Sequence, residues 1–264
     1  MESLNYYLTQ MTKELFIKNK SIERSNIKST VKTLKKRLKL HFGNKINKVI
    51  EFGSYTRGTI LPRKYDENSD VDIMIFFNTN KNEVTAETYR TYLKLFAEKY
   101  YSQYVFHKDF PSVIIELKNI KFDLVPAIIK YRFFSESIRI PDSKNTWQRT
   151  DPDGFNEILT NANTQYNSIV KPIIRLLKYW NSQNGYPYDS YKLEQLIANM
   201  NFRKDNIETG FYYAIKRLQI RRNDTKIFNQ KVNKLKYYKD SVVEYLQQNE
   251  KLKAKIQLNK IFNK

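Results

Sequence analysis

FGSYTRGTILPRKYDENSDVDIMIFF, residues 52–77, is the stretch whose reading decides the fold. An apolar strand with Val49, Ile50 and Phe52 leads into it, and the chain then turns at Gly53-Ser54. A second glycine follows at Gly58, and Asp70-x-Asp72 sits within the apolar run Val71, Ile73, Ile75, Phe76, Phe77. Glycine has no Cβ, so a Gly-Ser turn at a strand end brings backbone N–H groups and a hydroxyl close to phosphate oxygens. Gly53 permits that approach and Ser54 makes the contact. Residues two apart in a strand share a face, so Asp70 and Asp72 project together while Val71 and Ile73 pack on the other side. Two adjacent carboxylates repel unless a cation lies between them. Hard divalent ions such as Mg²⁺ take oxygen ligands and carry phosphates with them, so the pair reads as a metal cradle.

Alone, an Asp-x-Asp pair is often a solvated strand edge. The turn upstream and a third acid downstream change its meaning. Asp123 stands in Ile120-Lys121-Phe122-Asp123-Leu124-Val125-Pro126-Ala127, a second apolar strand. Three acids on neighbouring strands complete a two-metal site suited to transfer of a nucleotidyl group. Asp123 is also the expected general base, close to an attacking hydroxyl. His107, one of two histidines, has no partner legible in the sequence and reads as structural or exposed.

The motifs GSYTRGT (53–59), SDVDI (69–73), FDLVPA (122–127), Trp147-x-x-Thr150-Asp151-Pro152 and LLKYW (176–180), followed by SYKLE (190–194), together resemble one superfamily. It is that of the DNA polymerase beta-like nucleotidyltransferases, in the branch of 2′-5′-oligoadenylate synthases and bacterial cGAS/DncV-like nucleotidyltransferases (CD-NTases). The resemblance implies an α+β, two-lobed fold, a small mixed sheet with helices facing a helical C-terminal lobe. The expected division is a catalytic core with N-terminal helices over 1–150 and a helical lobe over 151–264. It implies two Mg²⁺ ions, with Mn²⁺ able to substitute, held by Asp70, Asp72 and Asp123. Lys178 and Ser190 match residues that contact the donor triphosphate, and Tyr191 matches an aromatic that stacks on a base. Without the resemblance Lys178 reads as a surface lysine, Ser190 as a helix cap and Tyr191 as a core ring. The implied reaction makes a cyclic or short linear oligonucleotide messenger from NTPs, with ATP expected and the second base unassigned. A messenger-binding effector in bacterial antiphage defence is the implied downstream partner; the basic helices add a second hypothesis, in which RNA or DNA bound on the basic face switches the enzyme on, as in sensor members of the superfamily. Transfer to a tRNA end, a protein side chain or a small molecule is the open alternative, because three acids do not choose an acceptor.

Composition bounds these readings. At 264 residues, with 41% hydrophobic and 28% charged residues, the chain can build a proper core. It has no cysteine, which excludes disulfides and thiolate metal sites. No apolar run approaches the roughly 20 residues of a membrane span, and Met1-Glu2-Ser3-Leu4 does not open a signal peptide, so a cytoplasmic location without membrane is expected. A net charge of +20 favours phosphate polyanions as partners, although Lys- and Asn-rich usage can also be a compositional habit.

Along the chain, 2–18 and 26–42 read as helices. Ile27, Val31, Leu34, Leu38 and Phe42 form one apolar stripe in the second, with Gly43 as a stop. Lys28, Lys32, Lys35, Lys36 and Lys39 fall on an adjoining face, either an ordinary solvated surface or a nucleic-acid-binding spine. Thr85–Tyr101 reads as a helix, and Ser112–Leu117 with Ile120–Ala127 as a hairpin turning at Lys118-Asn119. From 139 to 154 the sequence is loop-like, and Trp147 within it either caps the core or lines the cleft. Beyond Phe155 the pattern is helical. Pro172 starts or kinks one helix, whose apolar face runs through Ile173, Leu176, Leu177 and Trp180, and Ser190 caps another that reaches Met200. The remainder is basic and helix-forming, with Lys216-Arg217, Arg221-Arg222 and the group Lys231, Lys234, Lys236 and Lys239.

Overall fold

A computed structural model describes residues 3–79, 84–109, 111–132, 135–142, 144, 146–220 and 225–263, so Arg221-Arg222 lie outside the described residues. In chain order the first half holds α1 (Leu4–Glu14), α2 (Ile22–Phe42), β1 (Ile46–Phe52), α3 (Gly53–Arg57), β2 (Val71–Phe77), α4 (Ala86–Tyr101), β3 (Val105–Asp109), β4 (Ser112–Glu116) and β5 (Lys121–Arg132). The second half continues with β6 (Ser135–Pro141), β7 (Trp147–Thr150), α5 (Gly154–Gln165), α6 (Val170–Gln183), α7 (Ser190–Ala198), α8 (Ile207–Arg217), α9 (Lys226–Gln247) and α10 (Lys251–Ile261). These elements form two compact units. A sheet unit takes residues 17–63 and 68–156, and a helical unit takes 1–16, 64–67 and 157–264.

The fold class is α+β, with a mixed sheet in the order β1-β2-β5-β4-β3; β6 continues from β5, and β7 from β6. β2 and β5 run parallel, and the other described ladders are antiparallel. Alternation along β2 explains how the sheet is covered. Val71, Ile73, Ile75 and Phe77 join Leu34, Leu38 and Phe42 of α2 and Leu93 and Phe96 of α4 in one core. Each such buried side chain contributes about 1.5–3 kcal/mol. On the other face Met74 and Phe76 meet Ala127, with Ile50, Phe52, Ile129, Ile138 and Ile140 packed around them. That second face therefore begins at Asp72 and turns apolar beyond it.

Several boundaries differ from the sequence reading, each for a local reason. α2 starts at Ile22, not 26, because the Ser21 hydroxyl accepts the Arg24 N–H at 3.2 Å. α1 stops at Glu14, short of 18. The Gly53-Ser54 turn is one turn of helix, α3. The stretch 139–154 is not all loop: β6 and β7 pair from Ile138↔Thr150 to Pro141↔Trp147. Between the two strands Asp142 accepts the Lys144 and Thr146 N–H groups. Trp147 packs against the main core with its ring 5.8 Å from Tyr89, which is the capping role.

In the helical unit α1 packs on α6 and α8, which places Leu4, Leu8 and Met11 in that core. The first helix thus groups with the C-terminal helices, and the sheet unit extends to Asn156. Pro172 lies in the first turn of α6, where its missing N–H has no intrahelical acceptor to lose. Phe262 stacks on Tyr179 and Phe211, both at 5.7 Å between centroids. The buried Arg175 guanidinium lies 4.9 Å from the Phe16 ring, and burial lowers its pKa to about 10. No described helix is long and apolar enough to cross a membrane.

The N-cap of α7 is Asp189, not Ser190: its carboxylate accepts the Lys192 N–H at 2.8 Å. An acid at this place also complements the helix dipole. Asp189→Ala is expected to cost about 1 kcal/mol in urea unfolding, whereas Ser190→Ala stays within about 0.5 kcal/mol.

Candidate active site

Phe52 of β1 is the register partner of Asp72 in β2, and Asp72 is in turn the partner of Asp123 in β5. Across a parallel pair, register partners share a face, so the two carboxylates emerge side by side at the strand starts. Asp70 comes immediately before β2, and all three acids are half-buried. Gly53 follows Phe52 with φ +72°, and a Cβ there would lie 1.8 Å from Asp72 Oδ2. The bare backbone of the turn is thus pressed against the carboxylate. α3 then closes at Gly58, φ +70°, and the Ser54 carbonyl accepts the N–H groups of Thr59 and Ile60 at 3.0 and 3.1 Å. Tyr55 and Arg57 of the same motif are buried, with the Arg57 guanidinium 5.2 Å from the Phe155 ring, and so brace the turn from beneath.

Asp123 Oδ1 accepts a hydrogen bond from the buried Ser112 hydroxyl at 2.9 Å. Sequence reasoning missed Ser112, because only the β4–β5 register brings it beside the acid. Among the described residues no group of three or more His, Asp or Glu side chains is gathered closely enough to hold a metal ion. The donor set nevertheless fits a hard divalent cation. It consists of carboxylate oxygens on one sheet face, beside a glycine whose missing Cβ leaves the Asp72 oxygen room.

Lys178, Ser190 and Tyr191 belong to the helical unit. Lys178 is no surface lysine: it is buried, and its ammonium lies 3.0 Å from Glu194 Oε1, itself buried. Ser190 is half-buried in the first turn of α7, and Tyr191 is 45% exposed rather than a core ring. Glu194 was legible as part of SYKLE but not as the partner of Lys178, which depends on α6 packing on α7. Lys178→Ala removes the ammonium from a carboxylate that stays buried. The expected loss is about 3–5 kcal/mol by denaturant unfolding, with Glu194→Gln costing less because the amide still hydrogen-bonds.

On α2, Lys28, Lys32, Lys36 and Lys39 are exposed, whereas Lys35 forms an ion pair with Glu51 at 2.7 Å. The proposed spine therefore offers fewer ammonium groups than the sequence suggested. In the C-terminal basic group Lys239 is buried beside Val232, Leu235 and Val242, and it pairs with Asp240. His107 is exposed on β3, as expected.

Residues 1–163 match the family model for the Second Messenger Oligonucleotide or Dinucleotide Synthetase (SMODS) domain. A cyclic AMP-AMP-AMP synthase of an Acinetobacter species is 29% identical over 204 residues, 71% of this chain and 56% of that protein. A probable cyclic nucleotide synthase of Bacillus cereus is 29% identical over 117 residues, 43% of this chain and 34% of that protein. The chain thus spans between a third and just over half the length of these curated relatives. Among solved structures, E. coli CdnC with ATP superposes with a TM-score of 0.73 at 11% identity, covering 98% of each chain. Vibrio cholerae DncV cyclic AMP-GMP synthase with a linear intermediate gives 0.74 at 9% identity, covering 96% of this chain and 92% of that one. At such identities the superpositions show a shared polymerase beta-like fold. The family match spans more than half of the chain and takes in Gly53, Ser54 and all three aspartates: the protein belongs to the SMODS family.

Proposed function

We propose that the protein joins nucleoside triphosphates into a cyclic or short linear oligonucleotide messenger. The observation that carries this reading is the pairing of Asp72 with Asp123 beside the Gly53 turn. Enzymes of this family generally use divalent metal ions. Asp70, Asp72 and Asp123 would hold two Mg²⁺, or Mn²⁺ in their place; when bound, these supply a lowered pKa for the attacking hydroxyl and neutralise phosphate charge. The chain's own residues position the reactants. Gly53 and Ser54 present backbone N–H groups and a hydroxyl to donor phosphates. Asp123, oriented by Ser112, takes the proton of the attacking hydroxyl. Lys178 and Ser190 serve the donor triphosphate, and the exposed Tyr191 ring offers a base a stacking face. For Lys178 this means exchanging Glu194 for phosphate when nucleotide arrives.

ATP is the expected donor, the cell interior the expected location, and an effector in antiphage defence the expected reader of the product. Lys28, Lys32, Lys36 and Lys39 form the face on which RNA or DNA would bind and activate. Phosphate contacts release counterions, so activation there should fall steeply between low and moderate salt. The test is incubation with the four radiolabelled NTPs and Mg²⁺ or Mn²⁺, with and without RNA or DNA, read after phosphatase by chromatography and mass spectrometry. Phosphatase-resistant small products are expected. Label entering tRNA or protein instead would transfer the assignment to a macromolecular acceptor.

A further inference from the structure

The chain between Gly58 and β2 leaves the sheet unit for four residues, Lys64–Glu67, which group with the helical unit, and then returns to deliver Asp70. Its departure is fixed twice at Arg63: the backbone N–H donates to Glu23 at 3.3 Å, and the guanidinium binds Glu116 at 2.9 Å. The excursion is fastened just as heavily within the helical unit. The Tyr65 carbonyl accepts from Ser182 Oγ and Gln183 Nε2, both at 3.3 Å, and its phenol donates to Glu14 at 3.0 Å. The Tyr65 ring also meets Tyr179 edge-on at 5.5 Å. Asp66, only 8% exposed, accepts a hydrogen bond from the Tyr186 phenol.

Tyr186 presents that phenol from a strained backbone. It has φ +53° directly after Gly185 at φ +68°. A non-glycine residue persists in this region where its surroundings hold it, and such positions cluster where function uses the strain. Here the brace is Asn181, fully buried, whose carbonyl accepts the Tyr186 N–H at 2.8 Å. The Asn181 side chain spans both the N–H and the carbonyl of Tyr188, at 2.9 and 2.8 Å. The loop is therefore built to hold one ring in one place.

We propose that the Tyr186–Asp66 hydrogen bond is a latch that positions Asp70, which makes Tyr186 a positioning residue for the metal-binding acids. The proposal rests on the reading of Asp70 as a metal ligand. Asp66 and Asp70 are separated by at most about 14 Å of fully extended chain, so a fixed Asp66 limits how far the segment that delivers Asp70 can move. Releasing the latch loosens the Asp66 end of the segment before β2, while Tyr65 keeps its own anchors and the strand itself stays in the sheet.

Tyr186→Phe and Asp66→Asn both keep side-chain shape and remove or weaken the bond. With a non-hydrolysable ATP analogue present, Mn²⁺ affinity measured by electron paramagnetic resonance should fall about tenfold in each, the usual effect of losing outer support for a ligand. Peptides covering 64–70 should exchange amide hydrogen faster, and kcat should drop while KM for NTP stays within about twofold. Wild-type Mn²⁺ affinity and kcat alongside faster exchange would overturn the proposal, leaving the bond a fastening of the fold. Loss of fold in both variants, seen by circular dichroism, would overturn it equally. An Asp70→Asn protein that binds Mn²⁺ like the wild type refutes the ligand reading and the latch with it. A wild-type protein that binds Mn²⁺ but makes no product from any NTP refutes only the messenger reading.

Discussion

Asp72→Asn, and likewise Asp70→Ala with Asp72→Ala, will reduce nucleotide transfer by at least about a thousandfold, the worth of several kcal/mol of lost charge stabilisation. The fold should persist without it. Asp72 shares a sheet face with Asp123 and follows Asp70 by two residues, so removing its charge relieves repulsion between neighbours. Neither carboxylate supports the core: that task belongs to Val71, Ile73, Ile75 and Phe77 on the opposite face. The expected result is an inactive protein that keeps its fold, checked by circular dichroism. Full activity of the double variant at any Mg²⁺ or Mn²⁺ concentration would sink the assignment.

Gly53→Ala will disable the same site from the backbone side. An alanine Cβ would stand 1.8 Å from Asp72 Oδ2 and 2.6 Å from its carboxyl carbon, distances that require the acid or the turn to move. The residue also sits at φ +72°, where a Cβ is strained whatever the space. Strain and displacement together should cost about 1–3 kcal/mol of stability. They should also cost on the order of a hundredfold in kcat, since ångström-scale misplacement of a reacting group has that effect. Gly43→Ala is the control, because it too has positive φ, +50°, but its Cβ meets nothing within 4 Å. It should lose stability and keep activity. If both variants lost activity alike, general destabilisation would account for the Gly53 effect.

Much of the sheet unit was legible in the sequence because strand alternation and helical periodicity are local. The stripe Ile27, Val31, Leu34, Leu38, Phe42 is the buried face of α2, and the hairpin carrying Asp123 turns where Lys118-Asn119 said it would. The same local signals misled where one residue type serves two ends. Ser190 has the chemistry of a cap, yet Asp189 takes the place, because an acid there also meets the helix dipole. The stretch 139–154 resembled a loop because β7 is only four residues long and polar, with turn-forming residues on both sides of it.

The sequence by itself determined which acids and which glycine form the candidate centre. Asp-x-Asp and the Gly-Ser turn are short-range patterns, and a strand's period of two fixes the face they share. Tertiary structure alone decided the partners those groups acquire. Ser112 reaches Asp123 through the β4–β5 register, Glu194 takes Lys178 through the packing of α6 on α7, and Glu51 removes Lys35 from the basic face. It also decided that Lys64–Glu67, midway through the deciding stretch, is anchored by Ser182 of α6 and by Tyr186 in the loop after it, more than a hundred residues later in the chain. Pairings at such sequence separation carry no local signature, since they are selected by the burial and hydrogen bonding of the whole folded chain.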